Sequence, residues 1–350
     1  MATPTATTIT AFLQSMGVAS RFFDCGRRIE EIPASVMLDV ENSRQPYPAP
    51  YLQHAWMALL LWDPQAANTP LLWFLKLPLD EQAKLVPAAR DAFLKQLLMS
   101  VGHNLQALAD GDKMRGILDN NPYTFTPSPE RQACMHAKAK QLLQLDPGQH
   151  YAPACNYLAG DLNRWQHLAV QGLADIAVRW PQHQQALIAA LPALPETPLL
   201  SLCQCLENEA VSGLLTKALC QRLIQEREQA NSNDAVVAGL IRAMSASQAD
   251  SLRQKTLQSL LAETAPLPIE VLAAIATRCH RDLLSPLLCL PFLEQLAQQP
   301  QATFNRVLAD LLFLPELRSH ILSCFRTAER SPTLAMAIGG LLSSAQQTAH

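Results

Sequence analysis

Two aromatic-rich apolar runs, residues 55–62 and 71–77, lie close together in the first third of the chain. In the first run both the odd-numbered and the even-numbered positions are apolar, so a strand there would be covered on both faces. Between the runs, Pro64, Asn68 and Pro70 are typical of a turn. The pattern predicts an antiparallel β-hairpin over about residues 53–78.

A helical period follows the hairpin. Asp80 is suited to cap a helix and Glu81 to stand in its first turn, with the apolar stripe continuing to about Gly102. Pro87 falls inside this stripe and would bend or divide the helix.

Shorter patterns complete a first domain. They predict a helix ending at Gly17, a strand over residues 21–26, and a helix over residues 130–145 that is closed by Asp146-Pro147-Gly148. We therefore expect residues 1–147 to form a small α+β domain with an antiparallel sheet and helices.

Beyond this boundary the pattern is helical throughout, and residues 181–350 contain neither Trp nor Tyr. Units of two short apolar helices recur at intervals of 31–36 residues, beginning near Pro198, Asp234, Pro268, Gln301 and Pro332. An earlier pair is expected over residues 161–180 and 183–191. Paired helices at such a period favour a HEAT-like α-solenoid over residues 148–350, which makes the whole chain α+β and mostly α.

The composition limits the kinds of partner and the cellular location that the sequence favours. With 27 basic and 30 acidic residues and a net charge of −3, the chain has no basic domain that would favour a nucleic acid or an acidic membrane. The nine cysteines are odd in number and dispersed, as in a reduced cytoplasmic protein. No apolar run approaches the ~18 residues of a spanning helix, and the N-terminus lacks the pattern of an export signal. We expect a cytoplasmic protein without a membrane segment.

Motifs for metals and cofactors are missing from the sequence. Cys203 and Cys205 would point about 200° apart on a helix, so they could not share one ion. The segment from Asp110 to Asn121 begins like a calcium loop but lacks its later ligands. Nucleotide loops and nucleophile elbows are absent, so we predict no metal, no cofactor and no catalytic residue, although a catalytic group assembled from distant residues stays open.

Two charged pairs are candidate binding residues. Arg27 and Arg28, just past the first strand, could hold an anion or an acidic partner, or form an ordinary solvated face. Asp80 and Glu81 fit a helix start more readily than a functional pair.

The loop after Asn121 offers a third candidate. Tyr123 and Phe125 precede a helix that contains Arg131, Lys138 and Lys140, so a small RNA-binding patch is an alternative. It would need a basic domain behind it, which the composition does not provide.

Four stretches of the sequence resemble an uncharacterised proteobacterial family of about this length, known only as a domain of unknown function. They are Phe23-Asp24-Cys25-Gly26-Arg27-Arg28, Pro46-Tyr47-Pro48, the run from Trp73 to Glu81, and Asn121-Pro122-Tyr123-Thr124-Phe125. The resemblance covers nearly the whole chain. It implies a bacterial cytoplasmic protein, transfers no catalytic residue, and marks Arg27, Arg28, Asp80, Glu81, Asn121 and Tyr123 as a candidate functional surface.

These observations favour a non-enzymatic interaction protein, in which the solenoid binds a protein or peptide and the N-terminal domain makes a second contact. A ligand-sensing or enzymatic pocket between the hairpin and the following helix is the first alternative. An RNA-associated factor is the second.

Overall fold

The structure, a computed structural model, describes residues 8–101 and 121–348. The chain divides between Asp146 and Pro147 into two compact units, here called the N-terminal unit and the helical unit. The described residues are mostly helical, with one small antiparallel sheet in the N-terminal unit, which confirms the predicted fold class at this level.

Four strands form the sheet, in the spatial order β2, β1, β3, β4, with every pairing antiparallel. Their bounds are β1 Ala19–Asp24, β2 Glu30–Ile32, β3 His54–Asp63 and β4 Ala66–Pro78.

The predicted hairpin is present as β3 and β4, with Met57 opposite Leu75. Its turn is shorter than the sequence suggested, because β4 already begins at Ala66. The Asp63 carboxylate accepts a hydrogen bond from the Gln65 amide at 2.8 Å, which closes the chain reversal within two residues. Most of β3 is buried, as expected for a strand with two apolar faces.

The N-terminal unit contains α1 Ile9–Ser15, α2 Ala34–Glu41, α3 Pro87–Val101 and α4 Pro129–Leu142. Thr8 caps α1 by accepting a hydrogen bond from the Ala11 amide at 3.0 Å. The buried carboxylate of Glu41 also accepts from the Ile9 amide at 2.7 Å, so α1 and α2 are joined through a helix terminus.

The start of α3 differs from the prediction. Asp80 does not cap a helix, since its Oδ1 atom accepts from the amides of Gln82 and Lys84, both at 2.9 Å, within a loop. The helix begins instead at Pro87, where the fixed φ of proline suits a first turn and its missing N–H costs nothing. The expected bend in the helix is therefore wrong.

The helical unit contains twelve α-helices among its described residues. They are α5 Tyr151–Ala159, α6 Val170–Val178, α7 Trp180–Ala190, α8 Glu196–Leu206, α9 Gly213–Arg227, α10 Asp234–Met244, α11 Asp250–Leu261, α12 Ile269–Arg278, α13 Pro286–Leu296, α14 Gln301–Leu312, α15 Pro315–Cys324 and α16 Pro332–Thr348. Short 3-10 helices cover Trp165–His167 and His280–Leu284. Across the described parts of the chain, none of the helices combines the length and apolarity that crossing a membrane requires.

The helices from α6 onward alternate between two rows. In the first row α6, α8, α10, α12 and α14 each pack against the next, and in the second row α7, α9, α11, α13 and α15 do the same. The predicted pairs over residues 198–325 correspond closely to these helices. The earlier predicted helix over 161–180 is wrong in its first half, where the chain forms the 3-10 turn Trp165–His167 before α6 begins at Val170.

Polar side chains join helical pairs at separations of about one repeat. Arg227 contacts Glu263, 36 residues on, and Arg253 contacts Asp282, 29 residues on. Gln295 donates to the carbonyl of Glu263 at 2.7 Å across 32 residues. Each of these links connects a pair only to its neighbour.

Candidate functional site

The β1–β2 turn holds the two predicted arginines, and they differ in setting. Arg27 is 1% exposed, and its Nε atom donates to the Pro50 carbonyl at 2.9 Å, while its guanidinium lies 5.6 Å from the centre of the Tyr51 ring. Arg28 is half-buried, and its Nε atom donates to Glu30 at 2.9 Å. Arg27 is therefore part of the interior rather than the solvated face that is usual for an arginine at a strand end.

Asp80 and Glu81 lie in the loop between β4 and α3. Ala83 adopts φ 59° there, and its carbonyl accepts a hydrogen bond from the Tyr47 amide at 2.7 Å. The Asp80 carboxylate accepts hydrogen bonds from the loop amides of Gln82 and Lys84, whereas Glu81 is exposed. This loop thus contacts the Pro46-Tyr47-Pro48 stretch through the backbone.

Asn121 and Tyr123 bring a further segment to the free edge of β4. The Asn121 side chain is buried, donates to Gln96 of α3 at 2.6 Å and accepts from the Tyr123 amide at 2.9 Å. The Lys76 amide then donates to the Tyr123 carbonyl at 2.7 Å, and the chain continues along β4 to Phe125. These bonds satisfy edge groups of the strand that would otherwise be open to pairing.

Asp24 is the central residue that sequence reasoning missed. It is 2% exposed, and both its oxygens are engaged: Oδ1 accepts from the Tyr47 hydroxyl at 2.9 Å and from the Gly26 amide, and Oδ2 accepts from the Arg27 and Arg28 amides. Burial raises the pKa of Asp24, and these hydrogen bonds oppose the rise. Because its lone pairs are committed to the turn, Asp24 is placed as a support rather than as a general base.

Gly26 allows this turn to pack closely. A Cβ atom at Gly26 would lie 3.0 Å from the Tyr51 Cβ atom and 3.3 Å from the Trp56 Cδ1 atom. The pattern of Asp followed by Gly two positions later is typical of a side chain that caps its own turn, and it is the sequence signal that could have identified Asp24.

A half-buried aromatic cluster lies beside the β1–β2 turn and is defined here as Tyr51, Trp56, Phe74, Lys76 and Phe125. Phe125 meets Trp56 edge to face with centroids 4.8 Å apart, and the Lys76 Nζ atom lies 4.4 Å from the Trp56 centroid. The Trp56 indole donates to the Tyr51 carbonyl at 2.9 Å, which fixes the ring. The stretches that carried the family resemblance thus converge on one part of the N-terminal unit.

One of the basic residues that suggested an RNA-binding patch, Arg131, makes hydrogen bonds inside the N-terminal unit. Arg131 donates to the carbonyls of Cys25 and Gly26, so it holds α4 to the β1–β2 turn. The backbones of Tyr123 and Phe125 are hydrogen-bonded to β4, and the Phe125 ring packs against Trp56 and Phe74.

A groove of about 330 Å³ lies elsewhere in the N-terminal unit, beside α1, β1 and β2. Trp62 lines it, and the ion pair between Arg21 and Glu31, with 3.0 Å between Nη1 and Oε2, lies at its wall. The residues 110–112 that resembled the start of a calcium loop lie outside the described residues. Within the described residues, no group of three or more His, Cys, Asp or Glu side chains is arranged to hold a metal ion.

Comparisons with known proteins give one family and no named relative. Neither the curated proteins nor the solved structures include a significant match. A family model described as "Protein of unknown function (DUF3549)" matches residues 4–342. The chain therefore belongs to this family of unknown function, in agreement with the resemblance found in its sequence.

Proposed function

We propose that this chain is a non-enzymatic, cytoplasmic adaptor whose helical unit is a HEAT-like solenoid that binds a protein or peptide partner. The observation that carries the proposal is the stacking of successive helices in two rows, α6 to α14 and α7 to α15. Such arrays form an extended concave surface of the kind that binding proteins use. A cytoplasmic setting agrees with the nine free cysteines.

The first row is the face that we assign to the partner. Its middle helix, α10, has eight of its eleven residues buried, and the row leaves a strip of small and polar residues partly exposed. This strip contains Gln204 of α8, Ala235 of α10, and Ala273 and Thr277 of α12. Small side chains let a partner's backbone approach closely, and neighbouring polar groups can hydrogen-bond it.

Arginines at one edge of this row favour a partner with carboxylates. Arg278 donates to the buried Glu207 carboxylate at 3.1 Å, whereas the Arg242 Nε atom lies 3.8 Å from it and 31% of the Arg242 side chain is exposed. Arg242 can therefore turn toward an acidic group without breaking a short ion pair. The aromatic cluster of the N-terminal unit would supply the second contact, since Trp, Tyr and Arg are enriched where binding energy concentrates.

Affinity capture with matched variants tests the proposal. The full chain is immobilised and exposed under mild salt to native lysate of the source organism. Ala235→Arg and Ala273→Arg place a large charge on the first row, and Gln221→Arg and Gln258→Arg place the same charge on exposed positions of the second row. We expect a stoichiometric protein to be retained by the wild type and by the second-row variants and lost from the first-row variants. Equal retention by all four variants, or no retained protein at all, would contradict the proposal.

The groove beside α1 supports a second candidate, a ligand-sensing N-terminal unit. Its volume of about 330 Å³ is at the lower end of small-molecule sites, and Trp62 and Arg21 offer it an apolar wall and a charge. A thermal-shift screen of metabolites separates this candidate from the first, because a ligand at 100 times its Kd stabilises the folded state by about 2.7 kcal/mol. A shift that disappears in Trp62→Ala would place the ligand in the groove, and no shift with any compound would count against a sensor.

A further inference from the structure

The edge of the sheet beside β1 is open for one short stretch. β2 pairs with β1 only from Phe22 to Asp24, whereas β3 pairs with β1 from Ala19 to Asp24. The line of β2 ends because Pro33, with φ −54° and ψ 141°, leads directly into α2. Residues 19–21 of β1 therefore have β3 on one side and, among the described strands, no partner on the other.

Ser20 is the residue whose backbone faces this opening. Along an antiparallel strand, alternate residues direct their N–H and C=O groups to opposite neighbours. The Cys25 amide donates to the Trp56 carbonyl at 2.7 Å, so the odd-numbered residues of this segment face β3 and the even-numbered residues face the side of β2. Phe22 and Asp24 thus pair with β2, and the N–H and C=O of Ser20 point past the end of β2.

The far edge of the sheet gives the same alternation independently. There the Lys76 amide donates to the Tyr123 carbonyl at 2.7 Å, so the even-numbered residues of β4 face outward and its odd-numbered residues face β3. The even-numbered residues of β3 are left to face β1, as the alternation along β1 requires. At the far edge residues 123–125 cover the strand, whereas none of the described segments covers the backbone of Ser20.

The opening coincides with the groove of about 330 Å³ beside α1. Ser20 is half-buried in the groove wall. The groove is bounded at one end by Val18, whose amide already donates to the Leu13 carbonyl at 3.2 Å, and at the other by Ile32 and Ala34. A strand that continued the line of β2 would thus have room for about three residues, the middle one opposite Ser20.

The lining of the groove suits a peptide better than a charged metabolite. Arg21 and Glu31 are each 42% exposed and form an ion pair at the wall, so the charges there balance and favour neither an anion nor a cation. Trp62 lies opposite Ala19, whose side chain ends at Cβ and leaves the Trp62 ring open to the groove. A peptide residue carries one donor and one acceptor, which is what the Ser20 backbone needs.

We propose that the groove binds a short peptide in extended conformation, which adds to the open edge of β1 as an antiparallel strand. The inference rests on the ligand-binding role proposed for this groove and names the class of ligand. One peptide residue exchanges two backbone hydrogen bonds with Ser20, and a neighbouring residue packs an apolar side chain against Trp62. Because backbone bonds supply most of the contacts, we expect selectivity mainly at the residue that meets Trp62.

A library of random heptapeptides displayed on phage tests the proposal, with the full chain immobilised. Enriched peptides are synthesised and titrated by calorimetry. Ser20→Pro removes only an N–H that faces away from β3, a position at which strands tolerate proline, and should raise the Kd by about tenfold or more. Ser20→Ala keeps that N–H and should change the Kd by less than about twofold. Trp62→Ala should weaken the same peptides.

A backbone scan of the peptide uses the wild-type chain and so does not depend on how Ser20→Pro folds. One enriched peptide is made in versions that each carry a single N-methyl group on a different backbone nitrogen. Methylation of the residue opposite Ser20 should abolish binding, whereas methylation of either neighbour, whose N–H faces outward, should be tolerated.

Three results would overturn the proposal: equal losses at every methylated position, unchanged binding to Ser20→Pro, or a library from which no peptide is enriched. These results are separate from failure of the ligand-sensing role itself. If no peptide binds but a metabolite shifts the thermal transition of the wild type and not of Trp62→Ala, the groove is a sensor for another class of ligand and the strand-addition inference is wrong. Capture of a partner by the first row is measured independently of either result.

Discussion

Arg253 of α11 and Asp282 form a bidentate ion pair inside the helical unit, with both nitrogen-to-oxygen distances at 2.8 Å. Their side chains are 8% and 3% exposed. Removing either partner would leave a buried charge without its counterpart, so Arg253→Ala should lower the free energy of unfolding by about 3–5 kcal/mol. Urea denaturation followed by circular dichroism measures the change.

The double variant Arg253→Met with Asp282→Leu is the control for this pair. It removes both charges and keeps apolar volume, so we expect it to lose less stability than either single change. A double variant that is as unstable as the sum of the two single variants would show that the two residues act independently.

Gly26→Ala should destabilise the N-terminal unit by about 1–3 kcal/mol, because the new Cβ atom would meet Tyr51 and Trp56 at 3.0 and 3.3 Å. Gly339→Ala is a matched control in α16, where a Cβ atom would have no neighbour within 4 Å. There alanine should stabilise the helix by about 0.5–1 kcal/mol. Opposite signs in thermal unfolding are expected, and a neutral Gly26→Ala would refute the close packing of the turn.

Asp24→Asn should cost more stability than Tyr47→Phe. The Tyr47 change removes a hydroxyl that donates to Asp24 at 2.9 Å and to the Trp56 carbonyl at 3.3 Å, and one such donor is worth about 0.5–1.5 kcal/mol. The Asp24 change places an amide that has only one acceptor oxygen against donors on both sides, which leaves backbone amides of the β1–β2 turn unpaired. Equilibrium denaturation of both variants gives the order, and the reverse order would mean that the carboxylate does not hold the turn.

His183 should make the helical unit less stable in mild acid. Burial lowers the pKa of His183 below its ordinary value of 6.5, and the nearby Arg179 charge adds to the effect. The unfolded chain therefore binds a proton at this imidazole more readily than the folded protein, so the free energy of unfolding falls as the pH drops through 6.5. His183→Gln, which cannot titrate, should show a shallower fall between about pH 7.5 and pH 5. Identical slopes for the two proteins would contradict this account.

The helical unit was predicted from sequence more completely than the site. Its period of 31–36 residues and its proline or polar starts recur often enough to place the helices from α8 to α15, because each pair repeats the same apolar spacing. The three-residue strand β2 was missed, since a segment of that length has no measurable period and depends on pairing with β1. Asp80 satisfied the rule for a helix cap but serves a loop, because a carboxylate accepts equally well from turn amides.

The site depends on contacts that no local pattern encodes. The Asp24 carboxylate accepts a hydrogen bond from the Tyr47 hydroxyl, 23 residues away, and Arg131 donates one to the Cys25 carbonyl across 106 residues. The sequence marked Arg27 as a candidate for binding an anion or an acidic partner, with an ordinary solvated face as the alternative, whereas folding buries this arginine against Pro50. The family resemblance named stretches that the structure brings into contact, without showing that they meet.

The links between helical pairs also bear on how such a chain can change its length. Arg227 with Glu263 and Gln295 with Glu263 each join one pair to the next, whereas Arg278 reaches Glu207 across 71 residues and so joins pairs that are not adjacent in sequence. Duplication or loss of an entire pair would leave the links between neighbouring pairs in register, whereas a gain of two or three residues inside a helix would displace them. The helical unit is thus suited to grow or shrink by whole modules while its local packing is preserved.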